Sequence, residues 1–465
     1  MLPILILALL QPPIPQSNAP IAWLTDEVSL HNGAKFNGLL LKETLRGVEF
    51  QVVIRRAGRP TVTLTTTFLK NEVATVKRLS AEDRNALRAK IAELDPGGEG
   101  ERQRMESLEL TRIDWLGKSL AGRQYTSERF TIVSGASEEL SRRAAVRLEL
   151  LHAALVRYFP PRAGEVAPVR IEVAVRADDY AALLPQTLRA LANPALYLPG
   201  ERRIVCGSDL ERLDGRLAEI KSKHQEERKR LDQYEAGVKQ LYRQSRVELE
   251  RHLLVVAQER QRLREADRRN ETAFDSATQR FFALLYHEVF HAYIGPNVYP
   301  PADAESIRAG KESGPLPRYL EEGLAQIFET AILEVGELHI DHADESRLTA
   351  IQDFVRKPAS RPQLAAMLRA GPQDYLSGHD ERGRADRKYL SAWGLTFFLF
   401  HEKQALHGPE FGAYLRSVNT GGDPIKAFET WLGKDVAGIE AEWWDYLMRL
   451  TPSGRTTAPG PTRKP

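Results

Sequence analysis

Apolar positions recur with a period of two in the first part of the chain and with a helical period over most of the rest. Between residues 24 and 79, "HNGAKFNGLLLKE" carries an Asn-Gly turn signal followed by an apolar run. "GVEFQVVIRR" and "TVTLTTTFL" alternate and are rich in β-branched residues, and "NEVATVKRL" adds one more strand. "SAEDRNALRAKIAEL" follows with Ser80 at the N-cap position and acidic residues in its first turn, which predicts a helix. Residues 23–95 therefore read as a small β-barrel-like module closed by a helix. The polar, Gly-rich stretch "DPGGEGERQR" (95–104) reads as a linker, within a 96–127 connection that ends in a lead-in strand.

From about residue 128 strands and helices alternate. "ERFTIVSG" and "PVRIEVAVR" are strands, "SEELSRRAAVRLELLHAALVRYF" and "ADDYAALLPQTLRALAN" are helices, and "ALYLPGERRIVCG" is an extended, hairpin-like piece. Residues 208–270 interrupt this block. Leu210, Leu213, Leu217 and Ile220 follow 3-4 spacing, and Leu231, Tyr234, Val238 and Leu241 resume it, with His224 and Glu227 as polar breaks. The segment reads as a helical arm or coiled-coil hairpin, with Gly237 a candidate bend. Such an arm either docks a protein partner or a second copy of the chain, or merely spaces two parts of the domain. Residues 272–449 are mostly helical, and 450–465, rich in Pro, Gly and Thr, read as a disordered tail. The fold class is α+β with a mostly helical C-terminal half.

Composition narrows the partners. The chain of 465 residues is 42% hydrophobic and 28% charged, with mean hydropathy −0.39, as in an ordinary soluble protein. A net charge of +2 makes no case for nucleic acid or an anionic membrane surface. Cys206 is the only cysteine, which excludes a disulfide framework within the chain and any multi-cysteine zinc knuckle. "MLPILILALL" is too short to span a bilayer, but it fits the apolar region of a secretory signal, with Ala19 and Ala22 as small residues near a processing site. No Lys or Arg precedes the run. Residues 1–22 are thus expected to be a signal peptide, and the chain to be exported to the periplasm, the cell envelope or the medium.

Chemistry concentrates in "LLYHEVFHAY" (284–293). Residues i and i+4 share a helix face, so His287 and His291 can aim imidazole nitrogens at one ion, while Glu288 reaches a water on that ion. Two imidazoles are not enough, since a catalytic zinc takes three protein ligands and an open position. The H-E-x-x-H-x-x-G-x-x-H extension fails, because Ile294 stands where its glycine is required and Asn297 where its third histidine belongs. The other route is a carboxylate on a following helix. "GPLPRYLEEGLAQIFETAILE" (314–334) sets Glu321 and Glu322 beside Gly323 in an otherwise apolar run, where an unpartnered carboxylate is costly to bury.

"HEVFH" followed by "LPRYLEEGLAQIFE" resembles the gluzincin zinc metallopeptidases, the superfamily that includes thermolysin and the aminopeptidases with an N-E-G ligand motif. Residues from about 128 to 449, with "RFTIVSG", "YLSAWGL…FL" and "IKAFETWLG…WWDYL", look most like an uncharacterised bacterial family of exported peptidase-like domains in that superfamily. The resemblance implies a zincin-like domain over 128–449 that carries the 208–270 arm as an insertion. It further implies Zn²⁺ held by His287, His291 and Glu322, the glutamate directly before glycine, with Glu321 the second choice. Glu288 would then activate a zinc-bound water to hydrolyse a peptide or protein substrate.

By the same likeness Tyr389, in "DRKYLSAWGLTFF", would stabilise the oxyanion, and Ala195–Leu198 would be an edge strand that pairs with substrate. The plain readings are a core aromatic beside Trp393 and an internal hairpin. His224, His252, His339, His342 and His401 read as structural, the pair at 339 and 342 in a solvated strand or loop. A zinc peptidase is the leading function. A catalytically silent zincin fold that binds envelope proteins through its β-module and arm is the alternative, and an all-helical adaptor with an accidental motif is a third.

Overall fold

The computed structural model describes residues 23–457 except 59–60, 95–98, 118–120, 163, 165–166, 190–193, 208–210, 358–360, 372–374 and 376–386, so the expected signal segment 1–22 lies outside the described residues. The first unit is an antiparallel sheet of β1 (Asp26–Leu30), β2 (Lys35–Glu43), β3 (Gly47–Ile54), β4 (Val62–Leu69) and β5 (Val73–Lys77), in the order β4-β3-β2-β1-β5. Gly33, at φ 87°, turns the β1–β2 hairpin in the left-handed region that disfavours a side chain.

Although β4 and β5 are the two edges, only Lys70, Asn71 and Glu72 connect them, a reach of at most about 15 Å. The sheet must therefore roll, helped by register shifts between Leu40 and Lys42 and between Ser29 and Leu30. No ladder joins its edges. The expected barrel-like module is thus an open, coiled sheet, whose β4 leaves Val62, Leu64 and Leu69 exposed. Val28, Val48, Phe50 and Phe68 fill the roll, and α1 (Ala81–Glu93), capped by Ser80, packs Leu87 with Trp23 and Leu39.

The expected linker is partly ordered structure. Residues Glu99–Ser107 form helix α2, where Glu101 pairs with Arg147 at 2.7 Å and Arg142 donates to the Met105 and Leu108 carbonyls. Polar residues that resemble a solvated linker are here anchored by arginines of α3 (Glu138–Tyr158). The second sheet likewise begins before residue 128, with β6 (Thr111–Asp114) and β7 (Ala121–Thr126). With β8 (Phe130–Ser134), β9 (Val169–Ala174), β10 (Ala195–Leu198) and β11 (Arg203–Gly207) they form a six-stranded sheet in the order β10-β11-β9-β8-β7-β6. β8, β9 and β11 run parallel, and β10 is an antiparallel edge. α3 buries Leu140, Ala144, Leu148, Leu151 and Leu155, an apolar stripe at helical spacing, and α4 (Ala177–Leu183) follows β9.

Helix α5 (Glu211–Leu241) runs through Gly237 without a break and pairs with α6 (Arg246–Tyr293). The inward stripe of α5 takes in His224, Leu231, Glu235 and Val238 and is continued by Tyr242 just past its end, while Tyr234 and Leu241 face solvent. Polar contacts across the hairpin set this register: Glu235 to Arg260 at 2.6 Å, and Tyr242 stacked on His252. The arm is continuous with the site helix. Its second helix continues unbroken for 48 residues, about 70 Å, into the helix that carries His287 and His291.

The C-terminal half is helical: α7 (Ala304–Arg308), α8 (Arg318–Glu329), α9 (Glu345–Arg356), α10 (Leu364–Arg369), α11 (Arg387–Phe397), α12 (Pro409–Asn419), α13 (Pro424–Leu432) and α14 (Val436–Arg449), with the hairpin β12 (Ile332–Glu334) and β13 (Glu337–His339) after α8. α8 and α11 touch backbone to side chain at Gly323, where a Cβ would stand 2.5 Å from the Ala392 carbonyl oxygen and closer still to Thr396.

A buried polar junction ties the β-module to this half. Arg55 pairs with Glu334 and Asp341, the Trp23 indole donates to Glu334, and Gly58 N donates to the Thr330 carbonyl at 2.8 Å. His342, expected in a solvated segment, is buried there with Nδ1 3.2 Å from Arg55. The start of the expected disordered tail belongs to the same junction. Thr451 to Thr457 form a tight turn, from which Arg455 donates to the Trp23 carbonyl at 2.9 Å.

Titration of these groups makes stability pH-dependent. Burial depresses the His401 pKa to about 4, and burial also lowers His152, His339 and His407. Burial favours the neutral Asp341 acid, but the His342 hydrogen bond and the Arg55 charge outweigh it and hold the carboxyl well below the usual carboxylate range. In each case the native state binds fewer protons than the unfolded one, so stability falls as pH falls. Denaturant titrations should show one loss between about pH 6.5 and 4, to which His401 contributes at most roughly 3 kcal/mol, and a further loss below about pH 4. His401→Gln should flatten part of the first stage and leave the second intact.

Candidate metal centre

The end of α6 is held by its apolar face, on which Leu285, Val289, Phe290 and Ala292 are all buried. The opposite face then presents His287 and His291 one turn apart, aimed at α8. Their Nε2 atoms lie 3.0 Å apart, and Glu322 Oε2 is 3.4 Å from His287 Nε2 while Oε1 is 3.7 Å from His291 Nε2. His287, His291 and Glu322 are thus positioned to hold a metal ion. A tetrahedral ion with bonds of about 2.0–2.1 Å has ligand–ligand edges of roughly 3.3 Å, the spacing of these three groups.

Hydrogen bonding on the far side of each ring supports the fit. His287 Nδ1 is 2.6 Å from Glu329 Oε1, and His291 Nδ1 is 2.9 Å from Glu321 Oε1. With the Nδ1 protons held by these carboxylates, both Nε2 atoms can turn their lone pairs to one cation. Glu322 Oε2 is completely shielded from solvent and has no hydrogen-bond partner. Burial disfavours the Glu322 anion, yet the histidines and Arg318 hold its pKa at about 2. Burial opposes Glu329 as well, and Arg347 with His287 keeps it at about 2. Both carboxylates are therefore anionic at neutral pH.

Glu288 stands outside the triad. It is buried, and its Oε2 accepts the backbone N–H of Tyr197 at 2.6 Å. This amide belongs to β10, so Ala195–Leu198 is an edge strand and lies directly beside the site helix.

Tyr389 starts on α11, the helix packed on α8. Its hydroxyl donates to the Tyr375 carbonyl at 2.7 Å, its ring meets that of Tyr375 edge-on, and its own carbonyl accepts from Gln326. Its one hydroxyl proton is thus committed to a backbone oxygen. Trp393, one turn on, is fully buried.

The sequence pattern passes over Glu329, Arg347 and Arg318. Glu329 lies seven residues after Glu322 and so on the same face of α8, a signal that was legible. Arg347 binds Glu329 and the Gln326 carbonyl from α9, and nothing local in the sequence marks it. Glu321, the second choice for a ligand, is instead the acceptor behind His291. Loss of such a partner typically weakens a metal site by about 10–100-fold. Glu329→Ala should lower divalent-metal affinity by that factor, measured by competition with a chromophoric chelator, with the ratio at saturation unchanged.

No known family model matches the chain, and neither does any curated protein or solved structure.

Proposed function

We propose that the chain is a zinc-dependent metallopeptidase of the gluzincin type with a zincin-like domain. The observation that carries this reading is the convergence of His287 Nε2, His291 Nε2 and the unpartnered, buried Glu322 Oε2, with Glu288 alongside but not among the ligands. Two imidazoles and one carboxylate are a ligand set that a catalytic zinc takes. Zinc, when bound, supplies a Lewis acid that polarises a carbonyl and makes a water acidic near neutral pH.

The chain's own residues do the rest. The Tyr197 amide holds one Glu288 oxygen, so the other is free to take a proton from the attacking water. The same carboxyl then returns the proton to the departing amine as the C–N bond breaks. The edge strand β10 beside Glu288 offers backbone groups to an extended peptide. Export, inferred from the N-terminal apolar run, would set the substrate among envelope or extracellular proteins.

Purified protein should contain about one zinc per chain, lost in His287→Ala and in Glu322→Ala. Zinc content below about a tenth per chain in wild type would sink the reading. The silent-scaffold alternative draws on the arm, where Leu241, Val247 and Leu254 are 73%, 77% and 60% exposed. Full zinc occupancy with no turnover across a broad peptide library would favour it.

A further inference from the structure

We propose that Arg318 is a catalytic residue that contacts the reacting carbonyl oxygen, an inference that rests on the metallopeptidase reading. Arg318 is the first residue of α8, directly after Pro317, so helix geometry fixes it over the residues three and four positions on. Nη1 lies 3.0 Å from Glu321 Oε2, and Nη2 pairs with Glu322 Oε1. Both partners belong to the metal centre: Glu321 holds His291 through its other oxygen, and Glu322 is the third ligand. The guanidinium thus sits one carboxylate away from the point where Nε2, Nε2 and Oε2 converge.

Exposure places it at the mouth of the site. The Arg318 side chain is 29% exposed, whereas Glu322 behind it is 1% exposed. The other arginine of the centre, Arg347, is spent on Glu329 and a backbone carbonyl behind His287. Tyr389, the donor expected from the resemblance, gives its proton to the Tyr375 carbonyl, although it lies close enough to Arg318 to act on its charge. A guanidinium carries five N–H donors, and contacts to two carboxylate oxygens leave others for substrate.

The step balances without an added reagent. Water oxygen forms a bond to the carbonyl carbon, Glu288 takes the proton, and the carbonyl π pair moves onto oxygen as negative charge. Arg318 donates to that oxygen. The pair then returns, the C–N bond breaks, and the Glu288 proton leaves with the amine. A donor aimed at such an oxygen accelerates the step because its contact strengthens as charge develops.

Arg318→Gln and Arg318→Lys separate this role from simple support of Glu322. In zinc-loaded protein, Arg318→Gln should keep about one zinc per chain and lose about 10²–10³-fold in kcat with KM little changed. Lys should recover part of the loss, since it restores the charge without the fork. A second readout does not need turnover: calorimetry with inorganic phosphate, a stand-in for the oxyanion, should show affinity at least tenfold weaker in Arg318→Gln than in wild type. Unchanged kcat, or equal phosphate affinity at equal zinc content, overturns the proposal. So does zinc loss in step with activity, which would make Arg318 only a prop for the ligand. Wild type that binds zinc but cleaves no peptide sinks the peptidase reading, while the phosphate comparison still decides Arg318. Wild type that binds no zinc overturns both.

Discussion

Glu288→Gln is expected to lower kcat by about 10²–10⁴-fold while zinc content stays at the wild-type level. The exchange keeps size and shape, and the remaining amide oxygen can still accept the Tyr197 N–H that fixes the side chain. The atoms positioned to hold a metal belong to His287, His291 and Glu322, so none of them is disturbed. Only the capacity to take up a proton disappears. Steady-state and single-turnover rates on the best peptide from a library, paired with metal analysis of the same samples, read both halves. Peptidase activity that survives the exchange means that another base does the work. Zinc loss in this variant would instead make Glu288 a ligand, against the geometry.

The largest expected effect on stability lies far from the candidate metal centre. Arg55→Met should destabilise the protein by about 3–5 kcal/mol, because it leaves two buried carboxylates without their counter-charge. The Arg55 side chain is 8% exposed, Glu334 is 3% and Asp341 is 10% exposed. Hydrogen bonds from Trp23 and Thr61 to Glu334 cannot neutralise it. The cost therefore arises from stranded anions more than from a lost contact. A Glu334→Gln background should recover part of it, since one of the two anions is then gone. Chemical denaturation at pH 7 measures each variant, and equal losses in both backgrounds would exclude the coupling. Because this junction joins the β-module to the segment after α8, its loss should also uncouple the two in limited proteolysis.

Much of this architecture was legible in local pattern. The Asn-Gly turn, the alternating strands, the apolar stripe of α3 and the Ser80 cap all follow from short-range rules, and the structure has each in place. The H-E-x-x-H spacing and the two glutamates before Gly323 likewise marked the residues that converge. Local reading went astray where charge met charge across the fold. The "DPGGEGERQR" segment reads as linker because its partners, Arg142 and Arg147, lie on α3. The arm's register shifted because Glu235 finds Arg260 across the hairpin and can face inward, leaving Tyr234 and Leu241 outside. His342 and the turn at 451–457 read as solvated because Arg55 and Trp23, some three to four hundred residues earlier, are what bury them.

By itself the sequence determined most of the strands and helices, which face of α6 carries imidazoles, and that a histidine-completed site was excluded by Ile294 and Asn297. Those properties depend on residues a few positions apart, whose relation is set by helix and strand geometry. Tertiary structure alone decided that Glu322 converges with the two histidines while Glu321 turns to His291, that Glu329 and Arg347 back His287, and that the Tyr389 proton goes to Tyr375. It also decided that the module stays an open roll and that the second helix of the arm and the helix carrying His287 and His291 are one. Each of these depends on which long-range groups meet in a low-dielectric interior, where an unpaired charge or lone pair is costly enough to choose its partner.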